Sequence, residues 1–297
     1  MLRNGKPRLF GALALALLAP PSALASDSLS AMTFNIRYDN PDDAAAGNGW
    51  AARLVAVTAL VEELKPDILG LQEVLPNQVE DLRGALRDYT LVSRPREADG
   101  GGEACTIAFR TERFTLELGT DRTWWLSETP YVAGSRSWES ACPRIVQEAV
   151  LRESDGARVA IFNTHFDHRS AAARGHSGQL LGARLADFTT ANPGVPLLIT
   201  GDFNMEPTAR PFIALLAGPP CLADAWATCR SADAPNGTFH DWTGQTDGRQ
   251  IDAILAGAGL TPTAARIIRD RPKDRLPSDH WPVWASFRRA PSPLPKG

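Results

Sequence analysis

The chain has 297 residues, 43% hydrophobic and 22% charged, with 31 Lys and Arg against 34 Asp and Glu for a formal charge of −3. This is the composition of one larger globular domain or two small ones, and its acidic balance argues against a broad polyanion-binding surface. A local basic cleft remains open, since arginines and lysines can still gather in the fold.

The N-terminus stands apart from the rest. Arg3, Lys6 and Arg8 precede an apolar run over residues 9–19, and Ser22-Ala23-Leu24-Ala25 follows with small residues at the A-x-A positions. That order predicts a signal peptide over residues 1–25, cleaved after Ala25, and a periplasmic or secreted protein. The run is too short for a spanning helix, which needs about 20 apolar residues, so no transmembrane segment is expected after cleavage. Cleavage removes three cations and no acid, leaving 28 cations against 34 acids, a formal charge of −6. All four cysteines lie in the exported part, where disulfides form. The expected pairs are Cys105–Cys142 and Cys221–Cys229, and the spacing has no CxxC character that would suggest zinc. Residues 26–288 contain no linker or repeat and read as one domain and a monomer. Residues 289–297 read as a disordered tail.

Strand-like runs recur at residues 30–36, 68–72, 90–93, 106–110, 145–151, 158–164, 197–201, 251–255 and 281–287. Helical patterns interleave at 53–65, 78–87 and 174–191. In the first of these Leu54, Val57, Val61 and Leu64 form a stripe that Pro66 ends. Mixed strands and helices predict antiparallel or mixed sheets faced by helices. The tryptophans of Thr123-Trp124-Trp125 read as packing rather than as a base-stacking platform.

Polar groups sit repeatedly at the ends of these apolar runs: Asn35 in the first, Glu73 after Ile-Leu-Gly-Leu-Gln, His165 after Ile-Phe-Asn-Thr, and Asp202 after Ile-Thr-Gly. Strand ends release the chain at a rim where convergent polar groups meet a ligand. Glu73 is a hard oxygen donor suited to Mg2+ or Mn2+, and Asn35 would supply a second oxygen or hold Glu73. Asp202 and Asn204 are two residues apart, so an extended segment points both to one face, one to activate water and one to orient a phosphate oxygen. His165 and Asp167 repeat that alternation, and an imidazole there stabilises developing phosphoryl charge. Ser278-Asp279-His280 and Ile251-Asp252 offer a histidine with an aspartate to hold its tautomer. His168 and His176 fall in a polar stretch that reads as a loop over the site. No G-x-S-x-G elbow, Walker A loop, Rossmann fingerprint or H-E-x-x-H motif is present.

Taken in order, Thr33-Phe34-Asn35-Ile36, Leu71-Gln72-Glu73-Val74, Asn163-Thr164-His165, Gly201-Asp202-Phe203-Asn204, Arg249-Gln250-Ile251-Asp252 and Ser278-Asp279-His280-Trp281-Pro282-Val283 resemble the motif series of the endonuclease/exonuclease/phosphatase superfamily. The resemblance runs from about residue 30 to 287. It implies a DNase I-like α/β four-layer sandwich, two central mixed sheets flanked by helices, with a divalent cation at one rim. It further implies that Glu73 binds the metal with help from Asn35 and Asp279, that Asp202 positions or deprotonates water, and that Asn204 and His165 hold the phosphoryl group. His280, oriented by Asp252, becomes a base or a phosphate ligand, and Arg144 a further phosphate contact. Arg37 stands where abasic-site nucleases of the superfamily carry an acid, which weakens a DNA-repair role. The expectation is an exported metal-dependent phosphoesterase cleaving a monoester or diester, small or lipid-linked. A secreted DNase I-like nuclease and a non-catalytic binding protein on the same fold are the alternatives.

Overall fold

The computed structural model describes Met1 and residues 28–290. Apart from Met1, the expected signal peptide lies outside these residues, as does most of the expected tail. In chain order the elements begin with β1 (Ser28–Asn35), α1 (Pro41–Ala45), α2 (Trp50–Leu64), β2 (Ile68–Val74), α3 (Pro76–Ala85), β3 (Tyr89–Val92) and β4 (Ala104–Arg110). They continue with β5 (Phe114–Leu116), β6 (Arg122–Trp125), β7 (Ile145–Glu153), β8 (Arg158–His165), α4 (Ala171–Ala191) and β9 (Leu197–Asp202). The last are α5 (Arg210–Ala217), β10 (Ala223–Asp224), α6 (Ala225–Cys229), β11 (Asp252–Ala256), β12 (Leu260–Ile267) and β13 (Val283–Arg289).

Two mixed sheets carry the fold. One has the order β12-β13-β1-β2-β4-β3, the other β10-β11-β9-β8-β7-β5 with β6 paired to β7. Among the described residues only β1/β2 and β8/β9 run parallel, because α2 and α4 supply the crossovers that parallel pairing needs. Alternate residues of the central strands face opposite layers. Leu29 and Ala31 of β1 meet Val159 and Ile161 of β8 between the sheets, while Met32 and Phe34 pack outward on Trp50, Val57 and Leu60 of α2. On the other side Ala160 and Phe162 pack on Leu181, Leu185 and Phe188 of α4. Both faces of these strands are buried, which is why they read as continuous apolar runs.

Local chemistry sets the helix ends. The Asn40 side chain accepts from the Asp42 amide with Pro41 at the first turn of α1, and the Ser170 hydroxyl accepts from the Ala173 amide to start α4. Lys65 closes α2 in the left-handed region ahead of Pro66. Between the sheets Gly70 is obligatory: a Cβ there would overlap the Thr200 hydroxyl and press on Asn163 Oδ1 at 2.8 Å. Trp124 and Trp125 are buried, as expected of packing residues.

The expected disulfides are not formed: Cys105, Cys142, Cys221 and Cys229 are all free thiols. The buried Cys105 thiol points at the Ile145 carbonyl (3.7 Å) within a cluster with Trp125, whereas Cys142 lines an open cleft. The exposed Cys221 thiol turns back onto the Ala217 carbonyl (3.9 Å) at the end of α5, and Cys229 ends α6. No helix among the described residues is long and apolar enough to cross a membrane.

Candidate active site

The strand exits β1, β2, β8 and β9, the start of β11 and the loop before β13 meet at one rim. There a cleft of about 480 Å3 is lined by Glu73, His165, Asp202, Asn204, Asp279 and His280, with Arg37, Arg96, Glu103, Arg144, His168 and Arg249 around them. Strand register makes this convergence. His165 lies beside Asp202 in the parallel β8/β9 pair, and Asp252 stands opposite Asp202 in the antiparallel β9/β11 pair.

Asn35 occupies the centre. Its Nδ2 donates to Glu73 Oε1 and to Asp202 Oδ2, both at 3.0 Å, and its Oδ1 accepts from the Arg37 amide at 3.0 Å. Asn35 therefore bridges the two carboxylates with its nitrogen and does not offer them an oxygen. Holding Glu73 is one of the two roles expected of it, and its oxygen meets the turn at Arg37. Glu73 Oε2 accepts from the Tyr38 amide at 3.1 Å. Burial pulls Glu73 toward the neutral acid, but the Asn35 amide, His280, Arg37 and the Tyr38 amide outweigh it and hold the carboxylate below its usual range.

Asp202 Oδ1 accepts from the Asn204 amide (2.9 Å), and its Oδ2 lies 3.4 Å from His165 Nε2 and 3.8 Å from His280 Nε2. Burial and the neighbouring Asp252 push Asp202 up to about 7 against the opposing His280. Asn204 Nδ2 donates to the Phe166 carbonyl and meets His165 Nε2, each at 3.1 Å. That bond makes Nε2 the acceptor and leaves the proton on Nδ1, a buried atom with no partner. Burial, with Arg144 and Arg96 nearby, holds His165 well below the usual imidazole range, so it is neutral.

His280 has the opposite charge state. Burial alone would lower it, but Asp252 Oδ2, at 2.9 Å from Nδ1, together with Asp202 and Asp279 raises it to about 10. The site thus pairs a carboxylate with a proton affinity near neutrality and an imidazolium that persists well above it. Asp279 Oδ1 accepts from the Ser278 hydroxyl (3.2 Å), and its Oδ2 faces Arg37 Nε at 3.7 Å.

The hard oxygens of Glu73 and Asp279 at the cleft, with Asp202 beside them, fit a divalent cation such as Mg2+. Ligand atoms of Asp202, Asp252 and His280 also lie within 4.8 Å of one another, and Asp252 Oδ1 is buried without a partner. His280 Nδ1 is committed to Asp252, and in the imidazolium Nε2 also carries a proton, which leaves the carboxylates as the donors. Cys142, Asp167 and His168 are similarly close. Asp167 is already saturated by the Ser140 hydroxyl and the Ala141, Arg169 and Ser170 amides, so it builds the loop and takes no part in the chemistry.

Sequence reasoning missed several residues of the cleft wall: Tyr38, Arg96, Glu103, Phe239 and, behind them, Arg53. Arg53 of α2 is fully buried, and its guanidinium donates to the carbonyls of Asn48, Ile36, Pro277, Arg37 and Tyr38. It ties the loop after β1 to the loop carrying Ser278, Asp279 and His280. Its signal was a charge set on the apolar stripe of α2, one turn from Trp50 and Val57. His168 does line the cleft, whereas His176 stacks on Trp138 (4.7 Å) away from it.

A family model described as the Endonuclease/Exonuclease/phosphatase family matches residues 32–280. A 5'-tyrosyl-DNA phosphodiesterase of Caenorhabditis briggsae is 25% identical over 277 residues, 87% of this chain and 69% of that protein. Among solved structures, an endonuclease/exonuclease/phosphatase family protein from Bacteroides thetaiotaomicron superposes with a TM-score of 0.80 at 28% identity, covering 88% of this chain and 97% of its own. A mannosyl-6-phosphatase from Bacteroides thetaiotaomicron VPI-5482 gives a TM-score of 0.80 at 29% identity, over 87% of this chain and 99% of that one.

Proposed function

The chain belongs to the endonuclease/exonuclease/phosphatase family, and from that premise we propose that it is an exported, divalent-metal-dependent phosphoric ester hydrolase. Its substrate in this reading is a small or lipid-linked phosphate ester, cleaved by in-line attack of water. The observation that carries the reading is the convergence at one rim of Glu73, Asp202 and Asp279 with His165 and the Asp252-held His280.

Asp202, within reach of both histidines and near neutrality in its proton affinity, is the group suited to take the proton of the attacking water. Asn204 fixes Asp202 through its amide and aims its own side chain along the same edge. His165, neutral with a proton on Nδ1, donates to a phosphoryl oxygen. His280 enters as a cation, which favours the phosphate-ligand role over that of a base. Glu73 and Asp279 would hold the cation, with Asn35 spacing Glu73 from Asp202. When bound, Mg2+ or Mn2+ neutralises charge on the phosphoryl oxygens and eases departure of the leaving alkoxide. Water's oxygen joins phosphorus as the ester P–O bond breaks, one of its protons goes to Asp202 while the other stays on the phosphate, and the alkoxide takes a proton from solvent to leave as the alcohol. Export rests on the basic-apolar-small order of residues 1–25.

Among similar proteins, one is a mannosyl-6-phosphatase and another a 5'-tyrosyl-DNA phosphodiesterase. The formal charge of −6 after cleavage favours the small-molecule side. The test is turnover of p-nitrophenyl phosphate, bis-p-nitrophenyl phosphate, nucleic acid and phospholipid panels by the purified chain, with Mg2+ or Mn2+ and with EDTA. Turnover that chelation abolishes and Asp202→Asn lowers by orders of magnitude is expected. No turnover on the whole panel would sink the reading.

A further inference from the structure

The wall of the cleft beyond His165 holds a guanidinium that the fold leaves unfinished. Arg144 is 5% exposed. Its Nη2 meets His168 Nδ1 at 2.9 Å, but Nε and Nη1 are buried and have no hydrogen-bond partner. The nearest acidic oxygens, Glu103 Oε2 and Asp167 Oδ2, are both at 4.0 Å, beyond bonding distance. Glu103 is instead taken by Arg96 Nη1 at 2.6 Å, and Asp167 by the four donors of its loop. A buried guanidinium with idle donors is expensive unless an anion completes it.

Arg144 lines both the main cleft and a small recess of about 10 Å3 beside it, bordered by Glu73, Arg96, Glu103, Cys105 and His165. That volume takes about one water-sized oxygen. The partnerless Nδ1 of His165 belongs to a residue on the same recess.

We infer that this is the terminal-oxygen subsite of a phosphomonoester, and that Arg144 makes the enzyme a monoesterase. The inference rests on the hydrolase reading above and narrows its substrate. A monoester carries three non-bridging oxygens and a charge between about −1.5 and −2 at neutral pH, which suits a fork of charged donors beside the cleft. A diester has one charge fewer and one fewer free oxygen to share among the cation, the histidines and the Arg144 fork. The recess takes the extra oxygen; Arg144 supplies the charge.

p-Nitrophenyl phosphate and methyl p-nitrophenyl phosphate share a leaving group and differ by one capped oxygen. With Mg2+ or Mn2+, the native protein is expected to have the higher kcat/KM on the monoester. Arg144→Met should lower that value on the order of 100-fold, as for removal of charge-assisted hydrogen bonds to a phosphoryl group, and lower the methyl ester's much less. Arg144→Lys keeps the charge without the fork and should recover part of the monoester preference; it carries the same comparison if the methionine variant does not fold. A native protein that prefers the methyl diester, or an equal fall on both esters in the variants, would overturn the subsite. Turnover of neither ester by the native protein, or of any other member of the panel, would instead overturn the hydrolase reading beneath it.

Discussion

Asn163 should be the residue whose loss does most to loosen the two halves of the site from each other. It sits in β8 with no exposure, its Nδ2 donating to the carbonyls of Leu71 (2.8 Å) and Thr106 (2.9 Å) in the opposite sheet. Its Oδ1 accepts from Gln72 Nε2 (2.7 Å), also across the gap, and from the Thr200 hydroxyl (3.1 Å). Glu73 stands on one sheet, His165 and Asp202 on the other, so this amide is the strut between them. Asn163→Ala breaks four bonds. Gln72 keeps the Thr33 hydroxyl at 3.1 Å as a partner, while two carbonyls and a hydroxyl lose theirs in a dry interior. At about 1 kcal/mol for each lost bond and more for each buried group left unmet, the cost is about 3–5 kcal/mol. This is a large part of the 5–15 kcal/mol typical of a domain. Urea unfolding followed by tryptophan fluorescence would read it as a midpoint lowered by about 1–2 M. Activity well below the new transition should fall too, because the carboxylates on opposite sheets lose their spacing. A variant within 1 kcal/mol of the native protein and fully active would refute the strut.

Two further predictions follow from the charge network. Since His280 is raised to about 10 by Asp252 against its ordinary 6.5, the alkaline limb of kcat/KM should fall near pH 10. Asp252→Asn should bring that limb down toward 6.5, and an unmoved limb in a pH–rate profile would exclude the assignment. The same raised value contributes stability that is complete below pH 6.5 and lost as pH climbs through 10, so melting temperature should decline over that window in the native protein and flatten in the variant. Arg53→Met removes five charge-assisted bonds to carbonyls and should cost about 3–5 kcal/mol of stability by denaturant titration. It should also lower kcat more than KM rises, because it holds the loops bearing Tyr38 and Asp279 without touching the cleft itself; a stability loss with unchanged kcat would assign it to folding alone.

Much of the site was legible because it lies where apolar runs stop. The strands at β1, β2, β8 and β9 are buried on both faces, so a polar side chain at their ends breaks the pattern visibly. The edge strands were not legible for the converse reason. β12 is exposed along most of its length and carries Pro262, and β5, β6 and β10 are two to four residues long, too short for periodicity to register. The disulfide expectation failed because chain proximity and compartment say nothing of where a thiol points: Cys105 faces a carbonyl within the interior. Arg96 and Glu103 come from loops, and only the tertiary turn of those loops sets them beside Glu73. Arg144 was visible as a candidate, but its idle donors were not.

The backbone at the site is held in a conformation its residues would not choose. Arg37 (φ 60°), Glu73 (φ 63°) and Asn204 (φ 50°) all adopt the left-handed region, which among them only Asn tolerates readily. Each lies at a strand exit, where the turn redirects the chain into the cleft. Strain of this kind costs about 1–3 kcal/mol per residue and persists only where surroundings over-determine the geometry. Those surroundings can be named. Arg53 and Gln78 both donate to the Arg37 carbonyl, the Tyr38 amide and Asn35 pin the Glu73 carboxylate, and Asp202 captures the Asn204 amide. The groups that fix the strained turns are therefore largely the groups that tune the charges. Stability and reactivity at this rim draw on the same hydrogen bonds, so a substitution that relaxes a turn should also shift the proton affinities of the residues it releases.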